Sequence, residues 1–234
     1  MSLAIRTIDL ARSAFVFIEF QNEWLDASSP LNGLMQDRPQ FDAAVANAAI
    51  ILKQVRARGG RIVHAGLSLL NDPGYLVFGG GSARAGLRAA IPAAGTWVQP
   101  ERVAFPEPFT PLPGEFQVAG RSGASVIAHS NLDPYLRNNG VDHLYLLGFA
   151  LHVCVESTLR QAHDLGYEVS IVSDAAPAFT AAQRDHVLQH VVHHFGSALS
   201  SACVLEQLVQ STACRMDDGT GSFAVKSCAR RGDG

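Results

Sequence analysis

The spacing of apolar positions changes along the chain, and each change marks a passage between strand and helix. The run Ala14-Phe15-Val16-Phe17-Ile18 is apolar on both faces and ends at Glu19, as a strand buried between two layers does. Over residues 41–58 the apolar positions Val45, Ala48, Ala49, Leu52 and Val55 fall at helical spacing, and Gly59-Gly60 stops that helix before a second apolar run at 61–65. This is a β-α-β unit. Residues 66–120 lose the period: Gly79-Gly80-Gly81 and prolines at 92, 100, 106, 108, 111 and 113 predict loops with short elements between them. Alternation then returns, predicting helices over 131–139, 153–166 and 181–195 and strands over 142–149, 167–172 and 202–205. Such a chain makes an α/β fold with a mostly parallel sheet covered on both faces. Ligands in that architecture bind beyond the carboxyl ends of the strands, where Glu19 and Cys154 both fall.

Cys154 stands where the strand over 142–149 gives way to a helix. Unpaired backbone N–H groups and the positive end of the helix dipole favour a thiolate there, so Cys154 is the candidate nucleophile. It is accordingly expected to be alkylated ahead of Cys203 in the last strand. A free cysteine is also a good small core residue, and position alone does not separate the two roles.

Composition narrows the setting. With 234 residues, 47% hydrophobic and 17% charged, the chain holds enough apolar surface for one large domain, expected over 1–210. Residues 211–234, rich in Gly, Ser, Asp and Arg, read as a poorly packed tail. A net charge of −3 without a basic stripe argues against nucleic acid as a partner. The apolar run at 14–20 is too short for a membrane span and carries Glu19. No membrane association and a cytoplasmic location are the expectation, and the absence of CxxC spacing among Cys154, Cys203, Cys214 and Cys228 fits a reducing compartment.

The segment Gly148-Phe149-Ala150-Leu151-His152-Val153-Cys154-Val155-Glu156-Ser157-Thr158, followed by Gly166-Tyr167-Glu168-Val169 and Val172-Ser173-Asp174-Ala175, resembles the signature of the isochorismatase-like cysteine hydrolases. Phe17-Ile18-Glu19-Phe20-Gln21-Asn22-Glu23-Trp24 is similar to that family's first strand, and the stretch from Gly120-Arg121-Ser122 through Ser130-Asn131-Leu132 to its middle motif. The resemblance covers about residues 10–206. It implies a three-layer α/β/α sandwich, oligomeric assembly, and hydrolysis of amide-like bonds by an Asp-Lys-Cys triad. It further implies an oxyanion hole formed by the N–H groups of Ala150 and Cys154, with a cis peptide between Phe149 and Ala150.

Two members of that triad are replaced. Glu19 stands where the family has aspartate, and Arg121 where it has lysine; the two lysines of the chain, Lys53 and Lys226, lie far from this motif in sequence. A glutamate still serves as a base if its carboxylate reaches the thiol. Arginine is in effect always protonated, so Arg121 can supply charge but cannot pass a proton. The reading is a hydrolase cleaving the C–N bond of a small amide, ureide or carbamoyl compound through a thioester, with Cys154, Glu19 and Arg121 as its catalytic set. Two alternatives remain: an inactive binding or scaffold protein, and a vinyl ether hydrolase of isochorismate type, against which the presence of a thiol counts.

Other signals are weaker. Trp24 and His129 are the candidate substrate contacts, and Phe20 and Phe78 are aromatic residues that suit either a pocket or the core. His186, His190 and His194 recur at helical spacing with His193 beside them, but no cysteine or carboxylate ligand motif accompanies them, so no metal is expected. Gly79-Gly80-Gly81-Ser82 lacks the endings of phosphate or dinucleotide loops, so no organic cofactor is expected either. The apolar positions Val187, Leu188, Val191 and Val192 suggest a subunit contact, hence a homo-oligomer.

Overall fold

The computed structural model describes residues 7–216, with side chains through residue 210. A six-stranded, all-parallel sheet forms its centre: β1 Ser13–Ile18, β2 Arg61–Ala65, β3 Phe116–Gln117, β4 His143–Gly148, β5 Glu168–Val172 and β6 Ser197–Leu199, in the order β3-β2-β1-β4-β5-β6. Side-chain alternation divides the central strands between two cores. Ala14, Val16 and Ile18 of β1 join Leu144 and Leu146 of β4 on one face, whereas Phe15, Phe17, Tyr145 and Leu147 point to the other.

The first face is covered by α5 Leu132–Asn138, α6 Glu156–Asp164, α7 Ala181–His190 and α8 Val192–Phe195. The second is covered by α2 Arg38–Ala57 and α9 Ser201–Met216. This is the three-layer α/β/α sandwich. Between β2 and β3 a separate small cluster of Leu67, Leu69, Tyr75, Phe78, Ile91, Trp97 and Val103 holds together α3 Leu87–Ala94, α4 Pro100–Val103 and their loops. The remaining short helix, α1 Asn22–Leu25, follows β1 directly.

Three expectations change. Residues 202–205 are helical rather than a strand; β6 lies earlier, at Ser197–Leu199. A short apolar run does not distinguish the two, and the decision is tertiary: Asp174 accepts from both the backbone N–H and the hydroxyl of Ser201, each at 2.7 Å, and so starts α9. Cys203 therefore sits on a helix, and Val204 and Leu208 are the residues that reach the core. The helix over 181–195 breaks at Val191, and its apolar residues Val187, Val191 and Val192 are buried within their own chain, with Leu188 packed against them. They are not available as the subunit contact proposed for them. Finally, α9 continues to Met216, into the expected tail, and the part of that tail beyond it lies outside the described residues. Among the described residues no helix is long and apolar enough to cross a membrane.

Candidate active site

Strand order reverses between β1 and β4, and a cleft opens at their carboxyl ends at such a reversal. Both reactive groups come from there. Ile18 pairs with Gly148 in register, and the next residues out are Glu19 on one strand and Phe149 on the other. Gly148 has φ 117°, and a Cβ at this position would collide with the Ile18 carbonyl. That close approach requires glycine. Glu19 itself has φ 57°, a left-handed conformation uncommon for a residue with a side chain and of a kind that collects at functional sites.

The Phe149–Ala150 peptide is cis, and a π-helical turn, Leu151–Val155, follows before α6. Cys154 lies in that turn. Its carbonyl accepts from the Thr158 hydroxyl at 2.7 Å, and the Thr158 oxygen accepts in turn from the Val126 N–H at 3.0 Å. Thr158 thereby ties the nucleophile turn to the loop that carries Arg121. Its role was not read from the sequence, because a threonine within a helical stretch gives no sign of a partner more than thirty residues away.

Arg121 is aimed by its own loop: Nε donates to Gly123 O at 3.0 Å and Nη2 to Ala124 O at 2.9 Å. Nη1 then lies 2.6 Å from Glu19 Oε1, and Nη2 lies 3.1 Å from Cys154 Sγ. Cys154 Sγ donates to the same Glu19 Oε1 at 3.2 Å. The three groups meet, each almost wholly buried. The other carboxylate oxygen, Oε2, accepts from the indole Nε1 of Trp24 at 2.7 Å. Trp24 thus orients the Glu19 carboxylate as well as lining the cavity.

The thiolate that a helix terminus alone would favour is not the resting state. Burial first, and the facing Glu19 carboxylate with it, push the Cys154 thiol up to about 12, because Arg121 opposes them only in part. The resting arrangement is a neutral thiol beside a Glu19–Arg121 ion pair. Near neutral pH, iodoacetamide is therefore expected to label the partly exposed Cys203 before Cys154, the reverse of the order expected from position alone. Labelling of Cys154 should climb as pH rises toward the value of its thiol. Mass-spectrometric mapping against pH measures this, and Cys154 labelled first at neutral pH would establish a resting thiolate instead.

The site opens into a cavity of about 190 Å³ walled by Trp24, Leu31, Leu34, Leu67, Val153 and Phe179 and roofed by Leu87, Ala90, Ile91 and Ala94 of α3 with Trp97. The roof and its anchor were not legible in the irregular stretch 66–120. The anchor is Gln21, buried after β1, whose side chain binds Leu67 O at 3.2 Å, Leu67 N at 2.9 Å and Val103 O at 2.5 Å. His129, expected as a substrate contact, is instead exposed and outside the cavity wall, at φ 57° in the loop before α5. Phe20 is core, stacked on Phe109 at 4.2 Å, and Phe78 belongs to the small cluster under the roof. His186, His190, His193 and His194 are exposed, and among the described residues no three or more His, Cys, Asp or Glu come together as metal ligands.

The isochorismatase domain model matches residues 13–203. The chain belongs to the isochorismatase family. Among its relatives is the ureidoacrylate amidohydrolase RutB of Variovorax paradoxus, 31% identical over 179 residues that span 70% of this chain and 68% of that protein. The uncharacterized isochorismatase family protein YwoC of Bacillus subtilis is 30% identical over 95 residues, 41% of this chain and only half of its own length. A solved cysteine hydrolase from Pseudomonas syringae pv. phaseolicola superposes with a TM-score of 0.74 at 20% identity, over 90% of this chain and all of that one. At that identity the likeness speaks for the fold alone.

Proposed function

We propose that this isochorismatase-family hydrolase cleaves the C–N bond of a small amide, ureide or carbamoyl compound by covalent catalysis at Cys154. The observation that carries the reading is the sharing of Glu19 Oε1 between the thiol of Cys154 and the guanidinium of Arg121, at the wall of a cavity large enough for a substrate. The relationship to an amidohydrolase supports it.

As Cys154 Sγ bonds to the substrate carbonyl carbon, its proton passes to Glu19, and the carbonyl oxygen takes the negative charge. The N–H groups of Ala150 and Cys154 are the donors assigned to that oxyanion. Protonated Glu19 then gives its proton to the leaving nitrogen as the C–N bond breaks, which releases the amine and leaves a thioester. Water adds to the thioester and yields a proton to Glu19; the C–S bond breaks, and the departing sulfur recovers that proton. Arg121 keeps its proton throughout. Its charge pairs with the Glu19 carboxylate in a buried place and offsets the negative charge that grows on sulfur.

An inert scaffold would have its sulfur sealed off, whereas Cys154 forms part of the cavity wall. Acid quench of the protein during turnover of an amide is expected to leave an acyl adduct on the peptide that contains Cys154, visible as an added mass. Cys154→Ser should show no thioester. Turnover without an adduct, and unimpaired in the serine variant, would remove Cys154 from the reaction.

A further inference from the structure

The amidohydrolase reading leaves the substrate open, and the cavity narrows it. Of the residues in its wall, the ionisable ones are Glu19, Arg121 and Cys154. Arg121 faces the Glu19 carboxylate with Nη1 at 2.6 Å, without the geometry of a hydrogen bond, and gives Nε and Nη2 to Gly123 O, Ala124 O and the sulfur. The one guanidinium charge in the wall is already balanced by Glu19, and the wall holds no second cation for a substrate anion. Arg84 and Arg88, on and beside the roof, are exposed and lie outside the wall. Everything else in the wall is apolar or backbone apart from two indoles: Trp24 gives its N–H to Glu19, and the N–H of Trp97 is buried with no partner among the described residues.

An anion pushed into such a wall would lose its hydration without a counter-charge, and that is among the costliest changes available to a buried group. An uncharged apolar group gains from the same transfer. The volume sets the size: an apolar cavity of about 150 Å³ holds benzene, and this one is about 190 Å³.

We propose that the cavity takes a neutral amide whose apolar substituent is about the size of a benzene ring, and that it rejects amides carrying a carboxylate. Ureidoacrylate, the compound for which the relatives are named, is such a carboxylate, so this chain would differ from them in substrate. The proposal rests on the amidohydrolase reading, and its test separates the two.

Benzamide and isovaleramide would be compared with their charged counterparts, 4-carbamoylbenzoate and succinamate. Binding would be measured by calorimetry on Cys154→Ala, and ammonia release on the wild-type protein. The neutral amides are expected to bind at least about 100-fold more tightly than the carboxylates and to be hydrolysed with a preference of the same size. Neutral amides that bind to Cys154→Ala but are not hydrolysed by the wild type would sink the amidohydrolase reading and leave the cavity assignment standing. Carboxylates bound as tightly as their neutral partners, or neither class bound at millimolar concentration, would overturn the assignment itself.

Discussion

Replacing Glu19 with glutamine is expected to lower kcat by about a thousandfold and to destabilise the fold by about 3–5 kcal/mol, because one carboxylate is both proton acceptor and counter-ion. Its partner Arg121 is 3% exposed at the side chain, so a neutral amide in place of the carboxylate leaves a buried cation without compensation. Removing one member of such a pair costs far more than the pair contributes. Two further variants separate the roles. Glu19→Asp keeps the charge but shortens its reach toward Sγ, so stability should recover in large part while the rate stays low. Trp24→Phe keeps the ion pair and removes only the indole donor to Oε2; kcat should fall about tenfold, as expected for losing one hydrogen bond to a charged group, with KM nearly unchanged. Thermal denaturation and steady-state kinetics on the same preparations measure both quantities. If Glu19→Gln lost stability but kept its rate, Glu19 would be a structural counter-ion and another group would take the thiol proton.

The parts of this molecule that are legible in its sequence are those decided by local pattern. Strands β1, β2, β4 and β5 emerge within about two residues of their expected bounds, because each is a buried apolar run between polar or glycine boundaries. The convergence of Glu19 with Cys154 follows from topology, since both lie just past carboxyl ends of neighbouring strands. The position of Arg121 came from resemblance, and its geometry depends on backbone carbonyls that no pattern announces.

What stayed hidden is tertiary. The four residues Ala202, Cys203, Val204 and Leu205 suit a strand or a helix equally well by composition, and Asp174, a distant side chain, decides for the helix. The roof over the site belongs to an irregular stretch whose placement depends on one buried glutamine, Gln21, gripping two points of it. The protonation of Cys154 could not be read from its place at a helix start, because burial and the facing carboxylate outweigh both the dipole and the guanidinium. His129 lies within the middle motif, directly before Ser130, yet is exposed outside the cavity wall.

Arg121→Met is expected to reduce kcat/KM by at least about a hundredfold, through two routes that a pH profile distinguishes. Without the cation, the Cys154 thiol loses the one neighbour that lowers it and holds its proton to higher pH. The sign is then fixed: the sulfur must give up its proton to attack, so the alkaline rise of kcat/KM moves to higher pH and some of the lost activity returns on that side. The second route is loss of charge opposite the sulfur, which lowers the rate at every pH. Arg121→Lys restores the charge in a more compact form. It gives up the contacts to Gly123 O and Ala124 O, which a single ammonium cannot hold along with Glu19 and Sγ. Activity in the lysine variant should therefore remain within about tenfold of the wild type, with its pH profile unmoved. Equal rates and equal profiles for the arginine, lysine and methionine proteins would leave Arg121 as a tie for its loop alone. A methionine variant that keeps its pH profile in place while losing rate would confine the cation to the charge that grows on sulfur during the reaction.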